Sequence, residues 1–305
     1  MIVRVERAGL LTTVQDCGRW GYQAMGVPVA GPMDLYSHRL ANALVGNRED
    51  AATLEVTLVG PTIEFVDERD VAVAGAEFDG MPNGVRRVSA GDRLAFGRRI
   101  RGARAYVAIS GGIETPMALG SRSTHVPSAM GGVEGRALKA GDELPLGSRQ
   151  GPLEGGHYSR ADMGELAEGR STLRVLPGPQ LDRFAAGALD ALQSAPYRIG
   201  ADSNRMGYRL AGPALEHRDG ADIISDATPM GALQVPASGQ PILLMADRQT
   251  TGGYAKIATV ISADIPVAGQ LAPGDELRFV VCSEAEALAA LIAQEQRVMA
   301  IAGRA

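Results

Sequence analysis

Along most of the chain the apolar positions either alternate with polar ones or form short continuous runs. Examples are Thr62 to Val66, Asp70 to Ala74, Ala105 to Ser110, Leu173 to Leu176, Ile242 to Met245, Ile257 to Ile261 and Glu276 to Val281. Successive strand side chains point to opposite faces, so alternation predicts half-buried strands and short runs predict strands buried on both faces. Three stretches follow the helical period instead. Asp34 to Val45 opens on a capping carboxylate, carries a stripe of Leu40, Ala41, Leu44 and Val45, and is closed by Gly46-Asn47. Leu181 to Leu192 is the second. Ser283 to Ala302 begins with Ser283 and Glu286 at capping-box spacing. Its Leu288, Leu291, Ile292, Val298 and Met299 predict a terminal helix packed on the body through that face.

A short echo recurs at Ala90-Gly91-Asp92-Arg93-Leu94, Ala140-Gly141-Asp142-Glu143-Leu144 and Pro273-Gly274-Asp275-Glu276-Leu277. Gly-Asp before an apolar alternation is a turn entering a strand. Any β-rich protein reuses such turns, and two related barrels each ending in this element would also produce the echo. The glycine-rich, aperiodic stretch from Gly147 to Arg170 reads as a boundary. The expected organisation is a domain over residues 1–150, a second over 171–282 and a terminal helix over 283–305.

Composition agrees with this picture. The 305 residues include 39 glycines and 17 prolines without a triplet period, and 45% are hydrophobic, which suits a turn-rich, mainly β, folded protein with a few helices. A net charge of −5 and 4% aromatic residues leave neither a basic footprint nor stacking platforms, so nucleic acid is excluded as an expected partner. Cys17 and Cys282 are the two cysteines, too few for a disulfide framework or a four-cysteine zinc site. The expected compartment is the reducing cytoplasm. Residues 1–16 alternate apolar and charged positions unlike a signal peptide, and the longest uncharged run, residues 227–246, is broken by Pro229, Gly231, Pro236, Gly239 and Pro241. No membrane association is expected.

The 30 basic residues contain two lysines, Lys139 and Lys256. Leu138 and Ala255 precede them, so no Walker A Gly-Lys exists, and neither is flanked by methionine, so no covalent biotin is expected on this chain. His38, His125, His157 and His217 show no i, i+2 or i, i+4 pair, and no metal-ligand set is visible. His38 is expected as a surface or boundary residue of the first helix. No Gly-x-Ser-x-Gly elbow occurs.

Two segments stand apart, Asp202-Ser203-Asn204-Arg205-Met206-Gly207-Tyr208-Arg209 and Asp247-Arg248-Gln249-Thr250-Thr251-Gly252-Gly253-Tyr254-Ala255-Lys256. Each crowds donors, hydroxyls and glycines between apolar runs. Gly252-Gly253 admits close backbone approach, Thr250 and Thr251 add hydroxyls, and Lys256 adds a point charge. A tight hairpin with an ion pair would use the same residues.

At these residues the sequence resembles the biotin-dependent carboxyltransferase-like family, which includes the C subunit of 5-oxoprolinase, allophanate hydrolase subunit 2 and the antagonist of a histidine-kinase inhibitor. The likeness extends over residues 9 to about 280. It includes Gly9-Leu10-Leu11-Thr12-Thr13-Val14-Gln15-Asp16 with Gly18-Arg19, Val45-Gly46-Asn47, Gly120-Ser121-Arg122-Ser123-Thr124, Arg205-Met206-Gly207-Tyr208, Gln234-Val235-Pro236 and Gln249-Thr250-Thr251-Gly252-Gly253-Tyr254. Ala255 and Cys17 depart from the family pattern, which has proline and leucine there.

The resemblance implies two cyclophilin-like β-barrel subdomains plus a C-terminal helix. It implies a partner like the 5-oxoprolinase B subunit or allophanate hydrolase subunit 1, with the 5-oxoprolinase A subunit as a further candidate, a small amide or lactam substrate, and ATP used by the assembled complex. The favoured expectation is the C subunit of 5-oxoprolinase, an ATP-dependent hydrolase. The alternatives are a carboxyltransferase half acting in urea degradation and a non-catalytic antagonist. Lys256, Arg205 and Asp247 are the candidate catalytic groups. Tyr208, Arg209, Gln234, Gln249, Thr250, Thr251, Gly252, Gly253 and Tyr254 are the candidate substrate-binding groups.

Overall fold

In the computed structural model, which describes residues 1–81, 84–149, 166 and 168–303, the chain forms two units. The first comprises Met1–Arg19, Ala30–Leu166 and Gln294–Ala305, the second Trp20–Val29 and Ala167–Ala293.

The first unit contains β1 (Ile2–Arg7), β2 (Leu11–Gln15), β3 (Thr53–Thr57), β4 (Thr62–Phe65), β5 (Arg69–Phe78), β6 (Val85–Val88), β7 (Arg93–Ala95), β8 (Arg99–Ile109) and β9 (Glu143–Pro145). They pair as a four-stranded sheet, β7-β4-β1-β9, and a five-stranded sheet, β2-β3-β8-β5-β6. One apolar core takes Val3 and Val5, Ile63 and Phe65 from the smaller sheet, and Leu54, Val56, Val71, Val73, Val107 and Ile109 from the larger. The alternate residues of β5 and β8, Ala72, Ala74, Tyr106 and Ala108, face helix α1 (Leu35–Leu44). Three alanines on that face admit the helix closely, which is why these strands read as continuous apolar runs.

Helix α1 starts where expected, with the Asp34 carboxylate accepting from Ser37 N at 2.8 Å and from Ser37 Oγ at 2.6 Å. His38 differs from expectation because the helix is covered on this side. The imidazole is fully buried between Thr53 Oγ1 (2.9 Å) and the Glu49 carbonyl (3.1 Å), and burial pushes its pKa down to about 4.

The second unit contains β10 (Arg170–Pro177), helix α2 (Ala188–Ser194), β11 (Tyr197–Ile199), β12 (Gly207–Ala211), β13 (Asp222–Ala227), β14 (Ala232–Gln234), β15 (Ile242–Leu244), β16 (Thr251–Tyr254), β17 (Lys256–Val260), helix α3 (Ile265–Gly269) and β18 (Glu276–Val281). Seven strands close a barrel in the order β10-β17-β14-β15-β12-β11-β18, sealed by the parallel pairing of β10 with β18. Strands β13 and β16 form a separate antiparallel ribbon. Leu173, Val175, Ile199, Leu233, Leu243, Ile257, Leu277 and Phe279 are among the unit's buried apolar residues.

The helix expected over Leu181 to Leu192 is shorter. A 3-10 turn over Leu181–Arg183 gives way to extended backbone at Phe184, and Gly187 takes φ +85 before α2 begins, so a single helical path is broken twice.

The Gly-Asp echo is one repeated device. Gly91, Gly141 and Gly274 sit at φ +87, +90 and +95, the geometry of the third residue of a type II turn. The following aspartate accepts through Oδ2 from the N–H three residues earlier, at Ser89, Lys139 and Ala272. Each turn then exchanges two backbone hydrogen bonds with one strand residue, Phe65, Val5 and Ile199 respectively. Two copies lie in the first unit and one in the second.

The terminal helix α4 (Glu284–Ala302) has the expected capping box, with Ser283 N and Oγ each 2.8 Å from Glu286 Oε2. Its packing face corrects the sequence expectation. Leu288, Ile292 and Met299 are 58, 48 and 67% exposed, whereas Val298 and Ile301 are buried in the cluster of α1. Arg39 of α1 grips Glu295 through both oxygens, at 2.6 and 2.8 Å, which turns this face of the last turns inward. Among the described residues no helix is long and apolar enough to cross a membrane.

Candidate functional site

The end of the barrel where β14 stops and β17 begins gathers polar side chains that the surrounding strands hold in place. Gln234, the last residue of β14, lies opposite Lys256, the first of β17. Lys256 is 1% exposed, yet its ammonium reaches Asp226 Oδ2 at 2.8 Å, and Asp226 is half exposed. The pair therefore places a buried stem behind a charge that meets solvent through its carboxylate partner. The Lys256 hydrogen bond, helped by the Ala227 N–H, holds the Asp226 carboxyl below its ordinary pKa.

Gln180 brackets the same pair. Its Nε2 donates to Asp226 Oδ2 at 3.2 Å and its Oε1 accepts from Lys256 N at 3.2 Å. Gln249 Nε2 donates to Gln234 Oε1 at 3.2 Å, while the buried Gln234 Nε2 has no hydrogen-bond partner among the described residues. A Cβ on Gly252 would stand 2.4 Å from that nitrogen and 3.2 Å from Gln249 Nε2, so glycine there makes the room the two amides occupy.

The loop preceding β16 is pinned from beneath. Thr228 Oγ1 donates to Gln249 O, Thr228 N to Thr250 O at 3.1 Å, and Arg248 Nε to Thr228 O at 2.8 Å. Burial pushes the Arg248 guanidinium down to about 10, with Asp247 opposing the shift.

Other candidates from the sequence lie elsewhere in the unit. Arg205 and Asp247 form a buried bidentate pair, Nε to Oδ2 at 3.0 Å and Nη2 to Oδ1 at 2.9 Å, which ties the two motif segments together. Tyr208 is buried and its phenol donates to the carbonyls of Ala268 and Leu271, at 3.1 and 3.3 Å. Arg209 donates to Gly207 O at 3.0 Å and its Nε is 3.6 Å from Asp202. Thr251 and Tyr254 are exposed on the ribbon beside Gly253.

Gln180, Asp226, Thr228 and Arg248 complete the cluster. Arg248 lies inside a motif segment; Gln180, and Asp226 with Thr228 at the end of β13, lie outside both motif segments and carry no local signal. Asp226 is marked only by its strand pairing with Gly252 across the ribbon. The arrangement offers an ammonium, a carboxylate and three carboxamides at one barrel end, a set that can hold an amide by its N–H and C=O and can balance developing negative charge. Among the described residues no group of three or more histidines, cysteines or acids is placed to hold a metal ion.

Comparison with known proteins gives concordant matches. The chain matches the carboxyltransferase domain, subdomain A and B, over residues 25–281. It is 39% identical over 311 residues to the C subunit of 5-oxoprolinase from Escherichia coli (strain K12), covering 99% of this chain and 98% of that one. It is 36% identical to urea amidolyase of Lachancea kluyveri, covering 92% of this chain and 17% of that protein. Among solved structures, the K. lactis urea amidolyase superposes with a TM-score of 0.91 at 32% identity, over 98% of this chain; the chain spans 20% of that one.

Proposed function

The chain belongs to the carboxyltransferase-domain family, subdomain A and B, and on that premise we propose that it is the C subunit of an ATP-dependent 5-oxoprolinase. In this reading it works with the A and B subunits of that enzyme, in the cytoplasm, to open 5-oxoproline to glutamate. The observation that carries the reading is the end-to-end similarity to the E. coli protein, 99% of one chain against 98% of the other. Urea amidolyase, by contrast, is matched over 17% of its length.

A lactam carbonyl is a poor electrophile because the ring nitrogen donates into it. Phosphorylation of its oxygen by ATP removes that protection, after which water adds to the carbon and the C–N bond breaks. The balance is one ATP and two waters for glutamate, ADP and phosphate. The barrel-end cluster suits the binding side of this chemistry. Gln234 and Gln249 present carboxamides complementary to the lactam N–H and C=O, and Lys256 supplies a positioned cation for the phosphoryl group or a developing oxyanion. Arg205 and Asp247 hold the loop that carries Gln249.

The test is co-expression with the products of neighbouring genes and an assay of ATP hydrolysis dependent on added 5-oxoproline. Removing a charge-assisted contact worth about 1.5–3 kcal/mol slows turnover roughly 10–150-fold where the contact is made in the transition state. Lys256→Ala is expected to assemble and lose activity in that range. Near-wild-type turnover in Lys256→Ala would move the reacting centre out of this cluster.

A second reading, a carboxyltransferase half acting on urea, draws on the TM-score of 0.91 to the K. lactis urea amidolyase. It requires ATP hydrolysis dependent on urea and a biotin-bearing partner, since neither lysine of this chain is flanked by methionine.

A further inference from the structure

The first unit contains a cavity of about 610 Å³ lined by the loops that follow β2, α1 and β8. Its size falls within the range of small-molecule sites, about 300–1,000 Å³. Its walls are built rather than incidental. The buried Asp16 carboxylate accepts from Gly18 N (2.9 Å), Ser121 Oγ (2.6 Å), Ser123 Oγ (2.6 Å) and Arg122 N (2.5 Å), fixing one loop against another. Asn47 bridges the remaining walls, donating to Ile109 O at 2.9 Å and accepting from Gly111 N at 2.9 Å.

Five charged residues among those described line this space, and three are already committed. Asp16 is saturated by the donors above, and Arg48 pairs with Asp50 at 2.8 Å. Arg122 spends only Nε, on Thr115 O at 2.9 Å, which orients the guanidinium; its two terminal nitrogens bond to no described residue. Glu114, exposed at the same cavity, forms no ion pair with any described residue. Among the described residues one cation and one anion therefore remain open in a single space. Gly120 adds backbone access, since a Cβ there would meet nothing within 4 Å.

We propose that this cavity binds a small zwitterion, an amino acid whose carboxylate meets Arg122 and whose ammonium meets Glu114. Its identity as the glutamate product rests on the 5-oxoprolinase reading. Adding water across the lactam C–N bond forms a C–O bond, breaks C–N and leaves the nitrogen protonated. A neutral amide thus becomes a carboxylate and an ammonium. The lactam carries one carboxylate and no ammonium, so the cavity prefers what the reaction makes over what it consumes, and product becomes a ligand of this chain.

Calorimetric titration of the full chain with L-glutamate and, separately, with 5-oxoproline tests the proposal. One saturable glutamate site is expected, with 5-oxoproline at least tenfold weaker. Arg122→Gln and Glu114→Gln should each weaken glutamate about tenfold or more, one lost charge-assisted contact apiece. Glu114 is exposed, so that variant folds whatever Arg122→Gln does. Absence of glutamate binding, or equal binding by Glu114→Gln, overturns the proposal. ATP hydrolysis by the assembled complex, measured in parallel, judges the reading on its own. Turnover without glutamate binding overturns only the cavity assignment. Glutamate binding that needs both residues, in a complex inert toward 5-oxoproline, upholds the amino-acid site and overturns the reading.

Discussion

Replacing Gly252 with alanine separates the site from the fold. The added methyl would stand 2.4 Å from Gln234 Nε2, 3.1 Å from Thr228 Cγ2 and 3.2 Å from Gln249 Nε2. Two of these atoms end flexible side chains, so the clash is relieved by driving the amides apart, which breaks the 3.2 Å Gln249–Gln234 hydrogen bond. A net hydrogen bond is worth about 0.5–1.5 kcal/mol. Against this, Gly252 does not occupy the left-handed region, so alanine restricts the unfolded chain and returns about 0.4–1 kcal/mol. The two effects nearly cancel. Gly252→Ala is expected to melt within a few degrees of wild type, assemble with its partners and lose most 5-oxoproline-dependent ATP hydrolysis. Equal activity would show that the paired amides do not contact the substrate. A stability loss above about 2 kcal/mol would show that Gln234 has no room to yield, and the steric argument would fail.

Arg205→Ala leaves Asp247 buried without its partner, and urea unfolding should register a loss of about 3–5 kcal/mol; a stable variant that loses only turnover would instead place its guanidinium on the substrate. His38 has a folded pKa of about 4 against an ordinary 6.5, so the unfolded chain binds a proton that the folded one refuses. Its stabilising contribution is complete above pH 6.5 and falls as the pH drops toward 4, by roughly 3 kcal/mol at most. Unfolding curves at successive pH values should show a shallower slope in this window for His38→Gln, and an unchanged slope would refute the assignment. Ile301→Ala, at a buried site, should cost about 2–5 kcal/mol, whereas Leu288→Ser on the exposed face should change stability by less than about 0.5 kcal/mol; a thermal melt of each variant distinguishes them.

What the sequence determined by itself is what depends on near neighbours. The Asp34 cap, the Ser283–Glu286 box and the three Gly-Asp turns each bond within a few residues, so their spacing specified their geometry. Alternation likewise marked the strands, because a face of a sheet is a local property. The resemblance in the Gln249 to Tyr254 segment, with Gln234, pointed to the stretches that meet at the barrel end beside Lys256.

Tertiary structure alone decided which groups meet. Lys256 and Asp226 are 30 residues apart, Lys256 and Gln180 are 76, and no periodicity links them; the barrel register brings them together. Tyr208 occupied a promising motif, yet its strand turned the phenol toward the carbonyls of Ala268 and Leu271. On α4 the helical period assigns Leu288, Leu291, Ile292, Val298 and Met299 to one packing face, yet docking through Val298, Ile301 and the Arg39–Glu295 pair leaves Leu288, Ile292 and Met299 exposed. The physical reason is common to all three. A hydrophobic pattern records how much apolar surface a segment offers, while the partner that covers it, or the charge that meets it, is fixed by contacts distant in the chain.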